Sequence, residues 1–447
     1  MKKEIGILFV SLGLIALLIG IFFGCLGAFQ FVYPDFLKEI SFVKIRPLHV
    51  SLVVAWIFLC SIGGIYYYIN YYCETKLWSA RLPKIHLWIF VLTGVLILVC
   101  YFMGRFGGRE YWEFPAILSI PIFISWMLFG INYFKSAFKK AGNWPVYMWM
   151  WATGIVFFFI TFSESYLWLA PYFRNNLIRD LTVQWKAYGA LVGSWNMLVY
   201  GTALFVMTRI IGDEKIAQSR LAFFMYFLGF ANLLFGWAHH IYIVPSAIWV
   251  RMVSYFMSMT ELLILGKIIW SWKNSLSEAK RNFHILPYRF IVASDVWVFL
   301  NLALALAISV PAINIYTHGT HVTVAHAMGS TIGINTIILL ASAFFLITDI
   351  TKHEFTRTQK ILIKIGFWIF NFYLMVFWVC LIIAGIEKGI LVIDDKLSFQ
   401  EIMTQINPIL TVLAFSGIGI FIGLILIVYP MLIAVYNYLM KKEKVQS

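Results

Sequence analysis

Nine histidines serve this 447-residue chain, and three of them fall in one stretch, HGTHVTVAHAMG, with His318, His321 and His326 followed by Met328. Imidazole and thioether are metal ligands, and their identity sets the properties of a bound haem. Further candidates are His49 in Arg-Pro-Leu-His, the pair His239–His240 in Trp-Ala-His-His, Asn196 and Tyr200 in SWNMLVYG, and Glu261 alone in an apolar run. Helical spacing sorts them. His326 and Met328 are two residues apart, about 200° around a helix, so they face opposite sides and one helix can serve two cofactors. His239 and His240 are about 100° apart; both can reach one metal beside the helix, but they cannot share a haem axis. Asn196 and Tyr200, at i and i+4, share a face.

The elements that must position these groups are membrane spans. The chain is 62% hydrophobic and 12% charged, and a run of about 20 apolar residues crosses a bilayer. Twelve such runs are predicted, at 5–33, 44–72, 85–104, 116–136, 146–172, 184–211, 218–245, 247–274, 285–310, 318–347, 360–388 and 409–439. Connections are short, with no internal repeat. The first run is too long for a signal peptide and lacks a cleavage site. The expected fold is all-α, a polytopic membrane protein with residues 1–447 as a single integral domain. The net charge of +14 calls for no nucleic acid. Lys and Arg crowd the loops on the side of both termini, with roughly half as many opposite, so both ends are expected to be cytoplasmic.

This topology places His49, Asn196, Tyr200, His239, His240, Glu261 and His326 in the outer half of the membrane, with His326 roughly 12 Å below the outer end of its span. Ionisable groups at such depth are functional candidates. His86, His284 and His353, in or near cytoplasmic loops, read as packing or hydrogen-bonding residues. Cys25, Cys60, Cys73, Cys100 and Cys380 form no ligating motif and read as small apolar residues. Other acids in the spans are few: Glu164, Asp295 and Asp349, the last expected to be solvated at the cytoplasmic end of span ten. No string of polar residues leads inward from the cytoplasm, so proton uptake from outside, with little or no pumping, is expected.

The Arg46–His49 motif, GREYWEFP at 108–115, Trp-Ala-His-His at 237–240 and HGTHVTVAH at 318–326 together resemble the haem–copper oxidase superfamily, over nearly the whole chain. The resemblance implies two haems, of b type: a low-spin haem held by His49 and Met328, and a high-spin haem held by His326. It makes His239 and His240 ligands of a second metal. Two departures stand out. The paired span-ten ligands usually read His-x-His, and here they read His326-Ala327-Met328; a thioether raises a haem potential relative to two imidazoles. Asn196 stands where a span-six metal histidine is expected, and Tyr200 where some oxidases carry a tyrosine and nitric oxide reductases a glutamate. Glu261 resembles the span-eight glutamate of nitric oxide reductases. Asn196 and Glu261 would complete the metal shell, and oxygen donors with imidazole suit iron better than copper.

The pattern is similar to the small, divergent nitric oxide reductases of the superfamily, found in the bacterial cytoplasmic (inner) membrane. The implied reaction takes two NO, two protons and two electrons to N₂O and water, with Glu261, Tyr200 and Asn196 at the reacting centre. Arg46, Arg109, Arg251, His318 and His321 are expected around the haem propionates on the outer rim. Glu110 and Glu113 resemble acids beside a calcium site there. A partner subunit carrying a c-type haem or a cupredoxin domain would deliver electrons at the outer face. An oxygen reductase with copper, or a nitric oxide dismutase, is the alternative within the family. A non-catalytic haem sensor or assembly subunit is the alternative outside it.

Overall fold

The computed structural model describes residues 4–74, 76–140, 142–241, 244–245, 247–258 and 260–446; the side chains of residues 4, 239, 240, 258, 260–263, 279, 311 and 442–446 lie outside the described part. Among the described residues the long helices are α1 (Glu4–Val32), α2 (Phe42–Cys73), α3 (Leu82–Phe102), α4 (Ser119–Ala137), α5 (Val146–Glu164), α6 (Leu177–Ile211), α7 (Arg220–Phe235), α8 (Ile248–Ser258), α9 (Thr260–Ser275) and α10 (Ile285–Ser309). Then come α11 (His321–Met328), a π segment (Gly329–Thr336), α12 (Ile337–Thr351), α13 (Arg357–Ile393) and α14 (Phe399–Gln446). Eleven continuous helices among the described residues are long and apolar enough to span a bilayer. They correspond to eleven of the twelve expected spans. The eighth, expected at 247–274, falls on α8 and α9, which flank residue 259 outside the described residues.

The α1–α2 interface is set by small residues. Gly6, Gly13 and Gly20 recur every seven residues on α1 and face α2: a Cβ at Gly6 would stand 2.6 Å from the Gly63 carbonyl, and one at Gly20 3.0 Å from Val53. In lipid, where apolar burial between helices gains little, this close backbone approach is how helices associate. It carries α2, and with it His49, against the carbonyls of α1.

The tenth span begins later than its apolar run suggests. Gly319 adopts φ +72, and the Thr320 hydroxyl accepts from the Val322 amide as an N-cap. These two residues turn the chain and start the helix at His321 rather than at 318. His326 therefore lies five residues in, about 8 Å. Directly after Met328 the helix widens to π geometry over Gly329–Thr336. Side-chain hydroxyls compete for backbone carbonyls there: Thr331 donates to the Ala327 carbonyl at 2.8 Å and Thr336 to the Thr331 carbonyl at 2.9 Å. Trp56 of α2 donates to the Thr336 hydroxyl at 3.1 Å. Gly329 and Gly333 let α10 approach, with the Asn301 amide 2.5 Å and the Trp297 ring 2.6 Å from where their Cβ atoms would be. Such single π turns inside α-helices gather at functional sites.

Candidate functional site

His49 sits two turns into α2, facing α1. Its Nδ1 lies 2.7 Å from the Gly20 carbonyl oxygen. A carbonyl only accepts, so Nδ1 carries the proton and Nε2 presents its lone pair away from α1. This is the arrangement a metal-ligating histidine has, one nitrogen fixed by a backbone oxygen and the other bare. Gly24 makes it fit: a Cβ there would stand 2.7 Å from Nδ1 and 2.8 Å from Cε1 of His49.

His326 and Met328 both belong to α11, in α geometry, so the opposed orientation expected from their spacing holds. Both remain half-buried while their neighbours Val322 and Ala325 are buried. The Nδ1 of His326 is buried without a protein partner.

On α6, Tyr200 is 1% exposed and Asn196 half-buried one turn before it. The Asn335 amide of the π segment donates to the Asn196 Oδ1 at 3.0 Å. That oxygen has a second lone pair, so Asn196 can offer one further contact. Position 196 is thereby tied to the span that carries His326. The backbones of His239 and His240 lie in a 3₁₀ helix, Gly236–Ile241, and that of Glu261 lies in the first turn of α9. Their side chains fall outside the described residues.

The residues expected on the outer rim are held by ion pairs of their own. Arg46, one turn before His49, bonds both acids of the 108–115 loop: Glu113 at 3.0 Å and Glu110 at 2.5 Å. The loop is compact. The amides of Gly107 and Gly108 both donate to the Glu113 carbonyl, and Tyr111 holds φ 67. Burial raises the Glu113 carboxyl above its ordinary range, and Arg46 pulls the other way. Arg46 is the cation paired with both acids, and the second Glu113 carboxylate oxygen, Oε2, is buried without a protein partner. Replacing Arg46 with leucine should cost about 1–3 kcal/mol by leaving Glu113 partly buried and unpaired, read as a lower melting temperature in detergent.

Arg109 pairs with Asp180 at 2.7 Å and lies over the Trp168 ring. Its Nε and the Trp112 Nε1 are buried donors without a protein acceptor. His318 lies in the turn before α11, its pKa lowered by burial. His321 opens α11 with its Nδ1 buried and unpartnered. Among the described residues no hydrogen bond joins His318 or His321 to Arg46 or Arg109. Arg251 lies on α8.

Three polar residues outside the expected site have partners of their own. Asp349 is not simply solvated: it accepts from Tyr67 at 2.6 Å, from Tyr71, and from Lys352 at 2.8 Å. Glu164 pairs with Lys186. His86 is fully buried, bonded to the Tyr66 hydroxyl at 3.0 Å, in keeping with a structural role. All five cysteines are free, and Cys25, Cys60, Cys73 and Cys380 are buried.

The orphaned polar atoms fit a pair of haems. The Nε2 of His49 is turned away from α1, the Nδ1 of His326 is buried without a protein partner, and the N–H donors of Arg109 and Trp112 lack acceptors that carboxylates of a bound group would supply. A bundle of long apolar helices, with His49 on the second span and His326 on the tenth, defines a polytopic helical membrane protein. The chain belongs to the cytochrome c and quinol oxidase polypeptide I family, whose profile matches residues 4–419. Members bind haems and a copper or iron centre and work with cytochrome c-type partner subunits. The chain is 21% identical over 434 residues to a nitric oxide reductase subunit of Stutzerimonas stutzeri, covering 92% of this chain and 90% of the relative. It is 21% identical over 451 residues to the cbb3-type cytochrome c oxidase subunit CcoN1 of the same organism, covering 96% and 93%. The solved structure of a haem–copper terminal oxidase dimer shares the fold, with a TM-score of 0.78 at 13% identity, covering 97% of this chain and 84% of that one.

Proposed function

We propose that the chain is the catalytic subunit of a nitric oxide reductase, reducing two NO to N₂O and water. The observation that carries this reading is the carboxamide at position 196, held by Asn335 on the span of His326. It leaves the second metal two imidazoles, His239 and His240, with oxygen donors from Asn196 and Glu261. That donor set suits iron better than copper. When bound, the two b haems and the second metal bring in the electrons and bind the gas.

The chain's own residues do the rest. His49 and Met328 hold the low-spin haem, and His326 the high-spin one. The Gly20 carbonyl fixes the tautomer of His49. Glu261 holds a proton near the second metal or completes its shell. Arg109 and Trp112 donate to the propionates. The whole of residues 1–447 serves as one catalytic domain, set in a bacterial cytoplasmic membrane with both termini inside. A second subunit with a c-type haem or a cupredoxin domain feeds electrons at the outer face. The relative named as part of a nitric oxide reductase supports the reading.

Tyr200 favours a second reading. It is buried one turn from Asn196, where an oxygen reductase carries its active-site tyrosine. Anaerobic incubation of the purified complex with NO and a reductant separates the two. N₂O formed with matching NO consumption is the expected result. No NO consumption alongside rapid O₂ reduction would establish the oxygen reductase, O₂ evolved from NO without reductant the dismutase, and no turnover of either gas the sensor.

A further inference from the structure

The start of α3 and the end of α4 meet on the side of both termini, and the loop before α3 is pinned there. Two buried side chains of α4 hold it. Asn132, with no exposure, accepts from the Ser79 amide at 3.0 Å and donates to the Ser79 carbonyl at 3.1 Å. The Ser136 hydroxyl accepts from the Trp78 amide at 2.9 Å. Six cations gather on this frame: Lys76, Arg81 and Lys84 from the loop and the start of α3, and Lys135, Lys139 and Lys140 from the end of α4 and the turn after it. All six are exposed. One acid, Glu74, stands among them, and it pairs with Lys140 at 3.0 Å. Among the described residues no carboxylate pairs with the other five. Lys139 reaches back to the Lys76 carbonyl at 3.4 Å, and the Lys135 ammonium lies over the Trp78 ring at 4.6 Å.

Positive charge on this side follows the rule that orients membrane spans. That rule asks neither that the cations be fixed together nor that acids be missing among them. Elsewhere on the same side acids are at hand: Asp213 pairs with Lys215 and Asp349 with Lys352. Like charges held close repel one another, and an anion from outside the chain relieves that cost. The helices below the corner say what kind of anion. Of the described spans, α3 and the span containing α4 are the least buried. Ile85, Trp88 and Leu92 of α3 are exposed, as are Ile124, Met127 and Ile131 of α4, each set spaced by three and four residues along one face. A molecule that meets both parts carries phosphate at one end and hydrocarbon at the other, and basic corners of this kind at the cytoplasmic membrane surface hold such headgroups. We infer that the corner binds an anionic phospholipid of the cytoplasmic leaflet, its phosphate among Arg81, Lys135 and Lys139 and its acyl chains along α3 and α4. The outer connection of the same two helices carries Arg109 and Trp112, so the lipid braces the hairpin that holds these donors. The inference stands apart from the proposed function and is the same whichever gas is reduced.

The test places the complete complex in phosphatidylcholine liposomes and adds spin-labelled phosphatidylglycerol or spin-labelled phosphatidylcholine. Electron paramagnetic resonance then reads the fraction of each label held at the protein surface. Phosphatidylglycerol should be held in excess of phosphatidylcholine. Lys135→Gln combined with Lys139→Gln should abolish that excess. Lys360→Gln combined with Lys364→Gln removes the same charge at the start of α13, on the same side of the membrane, and should leave the excess in place. Equal holding of the two lipids by the natural complex, whether a partner helix covers the corner or nothing binds there, would overturn the site. An excess that survives in the corner variant would do so too. So would an excess lost equally in both variants, which marks a general attraction to the basic side. Should the corner variant fail to assemble, Arg81→Gln decides: a reduced excess supports the site, and an unchanged one overturns it.

Discussion

Gly24→Ala abolishes the low-spin haem. The added methyl would lie 2.7 Å from His49 Nδ1 and 2.8 Å from its Cε1, inside contact distance of the ring that is to hold the iron. The ring cannot retreat along α2, because the α1–α2 interface is already in backbone contact at Gly6 and Gly63. It must swing away and lose its bond to the Gly20 carbonyl. Overpacking of this kind costs about 1–3 kcal/mol in stability, but the functional loss should be far larger. Without a fixed His49, electrons have no path from the donor to the reacting haem. The reduced spectrum should lose its low-spin component, and turnover should fall to background. Gly13→Ala, with its nearest neighbours at 3.3 Å, is the control. It should keep both haems and most activity. A normal low-spin spectrum in Gly24→Ala would remove His49 from the ligand set.

Met328→His lowers the potential of the low-spin haem. Thioether ligation favours the reduced iron relative to imidazole. The exchange should shift the midpoint downward on the order of 0.1 V, within the roughly 0.8 V range that axial ligands command. His326 faces the other side of α11 and should be untouched, so the high-spin haem keeps its spectrum. The driving force for electron transfer onward increases, while that from the donor falls. Donor oxidation should therefore become the slow step. A redox titration with both haems resolved checks this, and an unchanged low-spin midpoint would show that Met328 is not a ligand.

Much of the site was legible because the membrane makes polar residues conspicuous. His49, His239, His240 and His326 stand out in runs that are otherwise apolar, and spacing alone sets His326 against Met328. The close approach of Gly24 to His49 was not legible, because nothing in the sequence says which residues of α1 face α2. Pairings between distant positions were hidden for the same reason. Arg46 with Glu110 and Glu113, Asn196 with Asn335, and Tyr67 and Tyr71 with Asp349 join residues more than sixty positions apart. Read singly, Asp349 suggested a solvated end. The late start of the tenth span had a local signal in Gly319 and Thr320, a turn residue followed by an N-cap, which the apolar run on either side obscured. The π turn after Met328 depends on Trp56 and on the hydroxyls of Thr331 and Thr336, and only the packed structure joins them.

The metal beside the high-spin haem decides between the two reactions. With Asn196 in place of an imidazole, and Glu261 in reach by sequence, that metal should be iron. Quantitative metal analysis of the purified complex, set against its haem content, is the most direct test. The expected result is non-haem iron, one for each pair of b haems on this subunit, and no copper. One copper for each pair of haems, with no iron beyond the haems, would contradict it.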